Sequence, residues 1–267
     1  MSIHTSIAMQ AFAFISGFVH IDFNNPNLLA GAISLQPSTV RFGGGGNDYL
    51  HYAPFDQCDT KNHTDGDNYV CLNATHWDSL YNLANKSKTD FIFGISYDMI
   101  QACVHASAST PPYKWNPAPA VAMIRFIQAR GQVIWGFELG NEVNNRQKTC
   151  NTTGGQQAAA FAQFHAELDR LYPDPTTRPK LLGPDVGYLH PEKFLGEFLG
   201  NFSELYAVTY HVYSWLSKRN WNFTMPLDNA VRDGEEWYPP MVHRLAPGAQ
   251  VSELRSFGNN DGHSSKI

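Results

Sequence analysis

Apolar positions along this chain repeat in two ways. Short runs rich in β-branched and aromatic residues alternate with stretches where Ala, Leu and Phe recur at spacings of three and four, the signatures of strand and helix. The runs predict strands at 12–21, 39–42, 90–97 (DFIFGISY), 132–138 (QVIWGFE), 180–183, 205–213 (LYAVTYHVY) and 250–253 (QVSE). The helical periodicity predicts helices at 27–35, 76–86, 119–130, 156–172 and 191–199, with a mixed, partly helical stretch at 227–244 broken by Pro239 and Pro240. Pro117 and Pro119 open the helix at 119–130 and Gly131 closes it. A polar loop is expected over 51–75. Strands alternating with helices predict an α/β chain with a parallel sheet and crossover helices, which suits a doubly wound sheet or a (β/α) barrel.

The phosphate-binding loops that mark nucleotide-binding sheets are missing, since neither GxGxxG nor GxxxxGK[ST] occurs. Four glycines, 43–46, follow a strand, but no helix is predicted close behind them to complete a phosphate cradle. Charged residues are 16% of the chain against 43% hydrophobic, which excludes disorder over most of its length. The net charge is −5 and Lys and Arg are scattered, so a nucleic-acid partner is not expected. No apolar run is long enough to span a membrane as a helix. No HxH, HExxH or CxxC spacing is present, and neither a metal nor an organic cofactor is expected.

Six Asn-x-Ser/Thr sequons, at Asn62, Asn73, Asn85, Asn151, Asn201 and Asn222, point to the secretory pathway and make these residues candidate glycosylation sites. The four cysteines suit that compartment. Of the three possible pairings, Cys58 with Cys71 would close the polar loop and Cys103 with Cys150 would join two loops; the alternative is four buried thiols. The apolar segment 7–19 has no basic residue before it and runs into a predicted strand, so it reads as fold and no signal peptide is visible.

In a barrel, chemistry sits at the C-terminal ends of the strands. Glu142 lies just past the fourth predicted strand, after Asn141, and Glu253 ends the seventh. Two carboxyls across a cleft are what retaining glycoside hydrolysis requires, one attacking the anomeric carbon and the other giving a proton to the leaving oxygen.

The stretches FVHIDF (18–23), STVRFGGGGNDYL (38–50), DFIFGIS (90–96), VIWGFELGNEVN (133–144), LLGPDVG (181–187) and VTYHVYSW (208–215) resemble, in order and spacing, the heparanase and β-glucuronidase family, glycoside hydrolase family 79. The resemblance implies a (β/α)8 TIM barrel with Glu142 as acid/base and Glu253 as nucleophile. It implies that Asn141 holds the sugar 2-hydroxyl and that Asp22 binds outer hydroxyls. Arg41 and His211 would support the nucleophile, with Tyr213 near it in the substrate site. Trp135 and Phe137 are expected in the barrel core.

Two departures stand out. After its nucleophile the family carries small residues and then a Tyr that embraces a uronate carboxylate. Here LRSFGNNDG (254–262) places Phe257 near that Tyr, leaving backbone N–H groups around Gly258 as the donors. A neutral-sugar glycosidase of arabinofuranosidase or xylosidase type, or an inactive sugar-binding glycoprotein, is therefore the alternative to a β-glucuronidase. The chain also stops after the seventh predicted strand, so residues 1–267 are expected to be a single incomplete barrel domain, truncated after strand seven and without the family's β-sandwich. The expected partner is a carbohydrate, and the expected location is secreted, extracellular or lysosomal/vacuolar.

Overall fold

A computed structural model describes residues 7–8, 21–52, 70–104, 112–187, 191–211, 241, 243–245 and 255–256. The strands are β1 (Ile7–Ala8), β2 (Thr39–Phe42), β3 (Leu50–His51), β4 (Val70–Cys71), β5 (Asp90–Ile95), β6 (Gly136–Leu139), β7 (Lys180–Val186), β8 (Ala207–Tyr210) and β9 (Arg255–Ser256). The helices are α1 (Pro26–Ser34), α2 (Ala74–Ser87), α3 (Met99–Val104), α4 (Ala118–Ala129), α5 (Gln147–Cys150), α6 (Gly154–Leu171) and α7 (Pro191–Leu199).

Five strands form one parallel sheet in the order β2-β5-β6-β7-β8, which is their order along the chain. Helices α2, α4, α6 and α7 fill the successive crossovers. A doubly wound sheet reverses its strand order at a switch point; this one never does, which is the winding of a (β/α)8 barrel. Two further parallel pairs, β1 with β9 and β3 with β4, lie outside the sheet.

Strand alternation separates two faces. Phe91, Phe93 and Ile95 of β5 turn toward the helices, where the fully buried Trp77 of α2 meets Phe93 edge to face at 5.2 Å. Phe137 of β6 meets Phe164 of α6 in the same layer. The opposite, barrel-facing side carries a small apolar cluster of Ile92, Leu182 and Ala207. Arg41 pairs in register with Ile92, and Glu138 with Gly94, so both charged residues share that inner face.

The long periodic elements fall close to their predicted bounds, and β2 and α7 match them. The run at 132–138 differs, because its first residues are held by α2 rather than by the sheet. Gln132 accepts a hydrogen bond from Trp77 Nε1 at 2.7 Å, the Val133 N–H donates to Tyr81 at 3.0 Å, and bonding to the sheet begins at Trp135, whose N–H donates to the Phe91 carbonyl at 3.1 Å just ahead of β6. The glycines at 43–46 run directly into a single 3₁₀ turn, Gly45–Tyr49, where no helix was expected. Phe137 lies in the core as expected, while Trp135 is half-buried at the sheet margin with Lys180 Nζ 4.1 Å from its ring. The predicted strand at 250–253, and that at 12–21 apart from Ile21, lie outside the described residues.

Helix α6 opens with a capping box: the Thr153 side chain accepts from the Gln156 N–H and the Gln156 side chain accepts from the Thr153 N–H. Its first residue, Gly154, lies against α7. A Cβ there would sit 2.1 Å from the Phe194 carbonyl oxygen and 2.8 Å from the Phe198 nitrogen, both backbone atoms. Gly154→Ala is therefore expected to destabilise the fold by about 1–3 kcal/mol, as overpacking does. A urea midpoint equal to that of the wild type would show that α7 yields freely.

Cys103 and Cys150 form a disulfide joining α3 to α5, one of the two expected pairings. Cys58 lies outside the described residues. Asn85, Asn151 and Asn201 are exposed, Asn73 is half-buried and caps α2 through its side-chain oxygen, and Asn62 and Asn222 lie outside the described residues. Among the described residues no helix is long and apolar enough to cross a membrane.

Candidate active site

The inner face of the sheet ends in a line of charges. Arg41, 1% exposed, cannot be buried without counter-charges. It has two. Nε donates to Glu138 Oε2 at 2.5 Å and Nη2 to Asp185 Oδ2 at 2.5 Å, and both carboxylates are fully buried. Asp185 sits at the end of β7 in left-handed backbone geometry, φ 60°. Its other oxygen, Oδ1, lies 2.8 Å from His211 Nε2. That approach is a close ion contact rather than an aligned hydrogen bond. His211, just past β8, holds Glu142 Oε1 through Nδ1 at 2.6 Å. Glu142 is 16% exposed in its side chain, and solvent reaches it where it does not reach the charges beneath.

The loop after β6 presents Glu142. Its backbone is left-handed (φ 49°), its N–H donates to the Asp185 carbonyl at 2.9 Å, and its Oε2 accepts from Asn145 Nδ2 at 2.7 Å. Asn144 anchors the same loop to the end of β7 by exchanging two hydrogen bonds with Gly187. The disulfide at Cys150 ties its far end to α3. Both Glu142 oxygens thus face donors, an environment suited to the carboxylate it becomes on giving up a proton.

Electrostatics follow from burial and these contacts. Burial alone would discharge His211, but Asp185 and Glu142 outweigh it and push the imidazole up to about 9, so the ring is cationic at neutral pH. Burial resists ionisation of Asp185, yet Arg41 and His211 hold its carboxyl below the usual range. Burial pushes the Glu138 carboxyl up despite Arg41. Asp48, buried in the turn after the glycines, is pushed up to about 7 by desolvation, against the pull of hydrogen bonds from the Tyr97 and Asn141 N–H groups.

Arg41, Asn141, Glu142 and His211, all named from the sequence, are thus placed in one cluster. Among the described residues the partners of Arg41 are Glu138 and Asp185, and His211 faces Glu142 and Asp185; Glu253, which both were expected to support, lies outside the described residues, as do Tyr213 and Gly258. Asp22 is exposed, and its carboxylate accepts the Asn24 N–H at 3.0 Å ahead of α1. Sequence reasoning missed Glu138, Asp185, Asp48 and Asn145. Glu138 was within reach, since period-two alternation from the core residue Phe137 turns it to the barrel face. Among the described residues no group of His, Cys, Asp and Glu is arranged to hold a metal ion.

The family model for glycosyl hydrolase family 79, N-terminal domain, matches residues 11–226. Baicalin-β-D-glucuronidase of Scutellaria baicalensis is 22% identical over 218 residues, covering 74% of this chain and 41% of that protein. Heparanase of Rattus norvegicus is 26% identical over 235 residues, covering 71% of this chain and 41% of that protein. The chain thus spans less than half the length of these relatives. Among solved structures, the GH51 arabinofuranosidase of Xanthomonas axonopodis pv. citri superposes with a TM-score of 0.53 at 11% identity, over 86% of this chain and 49% of that one, a likeness of fold alone.

Proposed function

We propose, from the premise that this chain belongs to glycosyl hydrolase family 79, that it carries the acid/base half of a retaining β-glucuronidase site acting on uronic-acid-containing glycans. The observation that carries this reading is Glu142, a partly exposed carboxyl held by His211 and Asn145 above an otherwise buried charge network. In the first step Glu253 attacks the anomeric carbon while Glu142 gives its proton to the glycosidic oxygen. The resulting Glu142 carboxylate accepts from Asn145 and His211. It then takes a proton from the water that attacks the glycosyl-enzyme bond, and Glu253 leaves as carboxylate. Asn141 holds the 2-hydroxyl, Arg41 and His211 support the nucleophile, and Asp22, Tyr213 and Gly258 complete the sugar contacts. The sequons, of which Asn85, Asn151 and Asn201 are exposed, together with the disulfide, support a secreted glycoprotein.

The test is turnover of aryl β-glucuronide beside matched β-glucoside, β-xyloside and α-arabinofuranoside, with the first-formed anomer read by NMR. Hydrolysis of the glucuronide with the β-anomer appearing first is expected. Turnover of neutral sugars alone would replace the uronate reading with a neutral-sugar glycosidase. An α-anomer formed first would overturn the retaining mechanism.

A further inference from the structure

The four-glycine run and the Asp behind it have no part in the reaction above, yet they close on one of its residues. Asp48, 2% exposed, uses both carboxylate oxygens on backbone: Oδ1 accepts the Tyr97 N–H at 3.0 Å and Oδ2 the Asn141 N–H at 3.1 Å. The Asn141 amide can be set two ways. With its oxygen toward the glycines it accepts the Gly45 N–H at 3.2 Å and its nitrogen donates to Asp185 Oδ2 at 3.1 Å. The reverse setting keeps one bond of 3.3 Å from Arg41 Nη2. The first setting makes two bonds where the second makes one, and network satisfaction decides such amides. It also leaves Asn141 one amide hydrogen to donate to a ligand.

The glycines are needed for this approach. A Cβ on Gly43 would meet the Arg41 guanidinium carbon at 2.6 Å, and Gly44 has φ 117°, which L side chains rarely adopt. The turn is thereby laid across Arg41 and delivers the Gly45 N–H and the Asp48 carboxylate to the two ends of Asn141.

We propose that the turn at 43–48 is a positioning element for Asn141, with Asp48 fixing its backbone and Gly45 its side-chain amide, so that the free amide hydrogen meets the sugar 2-hydroxyl. This rests on the proposed glycosidase reading. Asp48 and Gly45 touch no substrate; they act through Asn141. Both partners of Asp48 are donors and call for its carboxylate form, which prevails above about pH 7 because burial pushes the group up; an Asn there would set an NH2 group against one of the two N–H groups.

The experiment compares Asp48→Asn, Asn141→Ala and the double variant on an aryl β-glucuronide and on its 2-deoxy counterpart. Asp48→Asn is expected to lower kcat/KM on the 2-hydroxy substrate by about ten- to a hundredfold, mostly in kcat, since the 2-hydroxyl contact strengthens in the transition state. On the 2-deoxy substrate the loss should be under about threefold, and in the Asn141→Ala background Asp48→Asn should add almost nothing. Gly45→Pro supplies a second route that spares the carboxylate. It replaces the N–H on the Asn141 oxygen with the ring Cδ, which both removes the bond and pushes the amide out of that setting, at the first position of the turn, where Pro is tolerated and where nothing lies within 4 Å of an added Cβ. It should show the same dependence on the 2-hydroxyl. Equal losses on both substrates, or losses that add to those of Asn141→Ala, would make Asp48 a general stabiliser and overturn the proposal alone. A silent Asn141→Ala would remove the role of Asn141 and the proposal with it.

Discussion

Glu142→Ala is expected to lower kcat on phenyl β-glucuronide by about 10²–10⁴-fold, the usual worth of a positioned general acid. In kcat/KM, which reports the first step, the same change should cost far less on 2,4-dinitrophenyl β-glucuronide than on the phenyl glycoside, because its leaving group departs as a stable anion and needs no proton. On that substrate the first step proceeds and the second, which needs Glu142 as base, becomes limiting. Added azide should then raise turnover and give β-glucuronosyl azide, because azide attacks the glycosyl-enzyme without having to lose a proton. Local geometry favours a clean result. Among the described residues the Glu142 carboxyl accepts two hydrogen bonds, from His211 and Asn145, and it is partly exposed. Its loss therefore leaves the buried pairing of Arg41 with Asp185 and Glu138 in place. Equal losses across both leaving groups, with no response to azide, would sink the acid/base role.

How far the sequence reaches is visible in single elements. Strand 39–42 and helix 191–199 are legible because their periodicity is set by the same core that buries them. The run at 132–138 misleads because local apolar pattern cannot show that Trp77 and Tyr81, more than fifty residues earlier, claim residues 132 and 133. Site chemistry follows the same division. Glu142 and Asn141 are legible as a motif beyond a strand end, whereas Asp48 reaches Asn141 across 93 residues and Tyr97 across 49. Its acceptor role is a property of the folded turn. Asp185 carries no local sign either: it is one more Asp in GPDVG until Arg41 and His211 converge on it. A rule that a buried Arg needs counter-charges predicts that such partners exist but not where they lie.

Arg41→Met should have the largest effect on stability, because it strips the guanidinium from two carboxyls that have no access to water. Breaking a buried ion network from one side typically costs about 3–5 kcal/mol. For a chain of this size that is a fall of roughly 6–20 °C in the thermal midpoint. His211 still faces Asp185, so the greater exposure to loss falls on Glu138, whose Oε2 has Arg41 as its partner and whose Oε1 has no hydrogen-bond partner among the described residues. The pH dependence has a definite sign. In the wild type Arg41 and His211 hold the Asp185 carboxyl below its usual range, so the stability it contributes is present above its unfolded value and is lost as pH falls through the folded one. Without Arg41 that pull rests on His211 alone, and burial acts on both Asp185 and Glu138 with less to answer it. A carboxyl raised in the folded state destabilises the fold once ionised and ceases to do so as it protonates, so the variant should recover on acidification. The gap between wild type and variant should be widest near pH 7 and narrow toward about pH 4, near the unfolded carboxyl values. Glu138→Gln placed on Arg41→Met should restore part of the loss at pH 7 and little near pH 4, since it removes the charge that Arg41 had answered. A gap that stays constant across that range, or no gain from Glu138→Gln, would mean that Arg41 stabilises the barrel by filling space rather than by holding the two carboxylates.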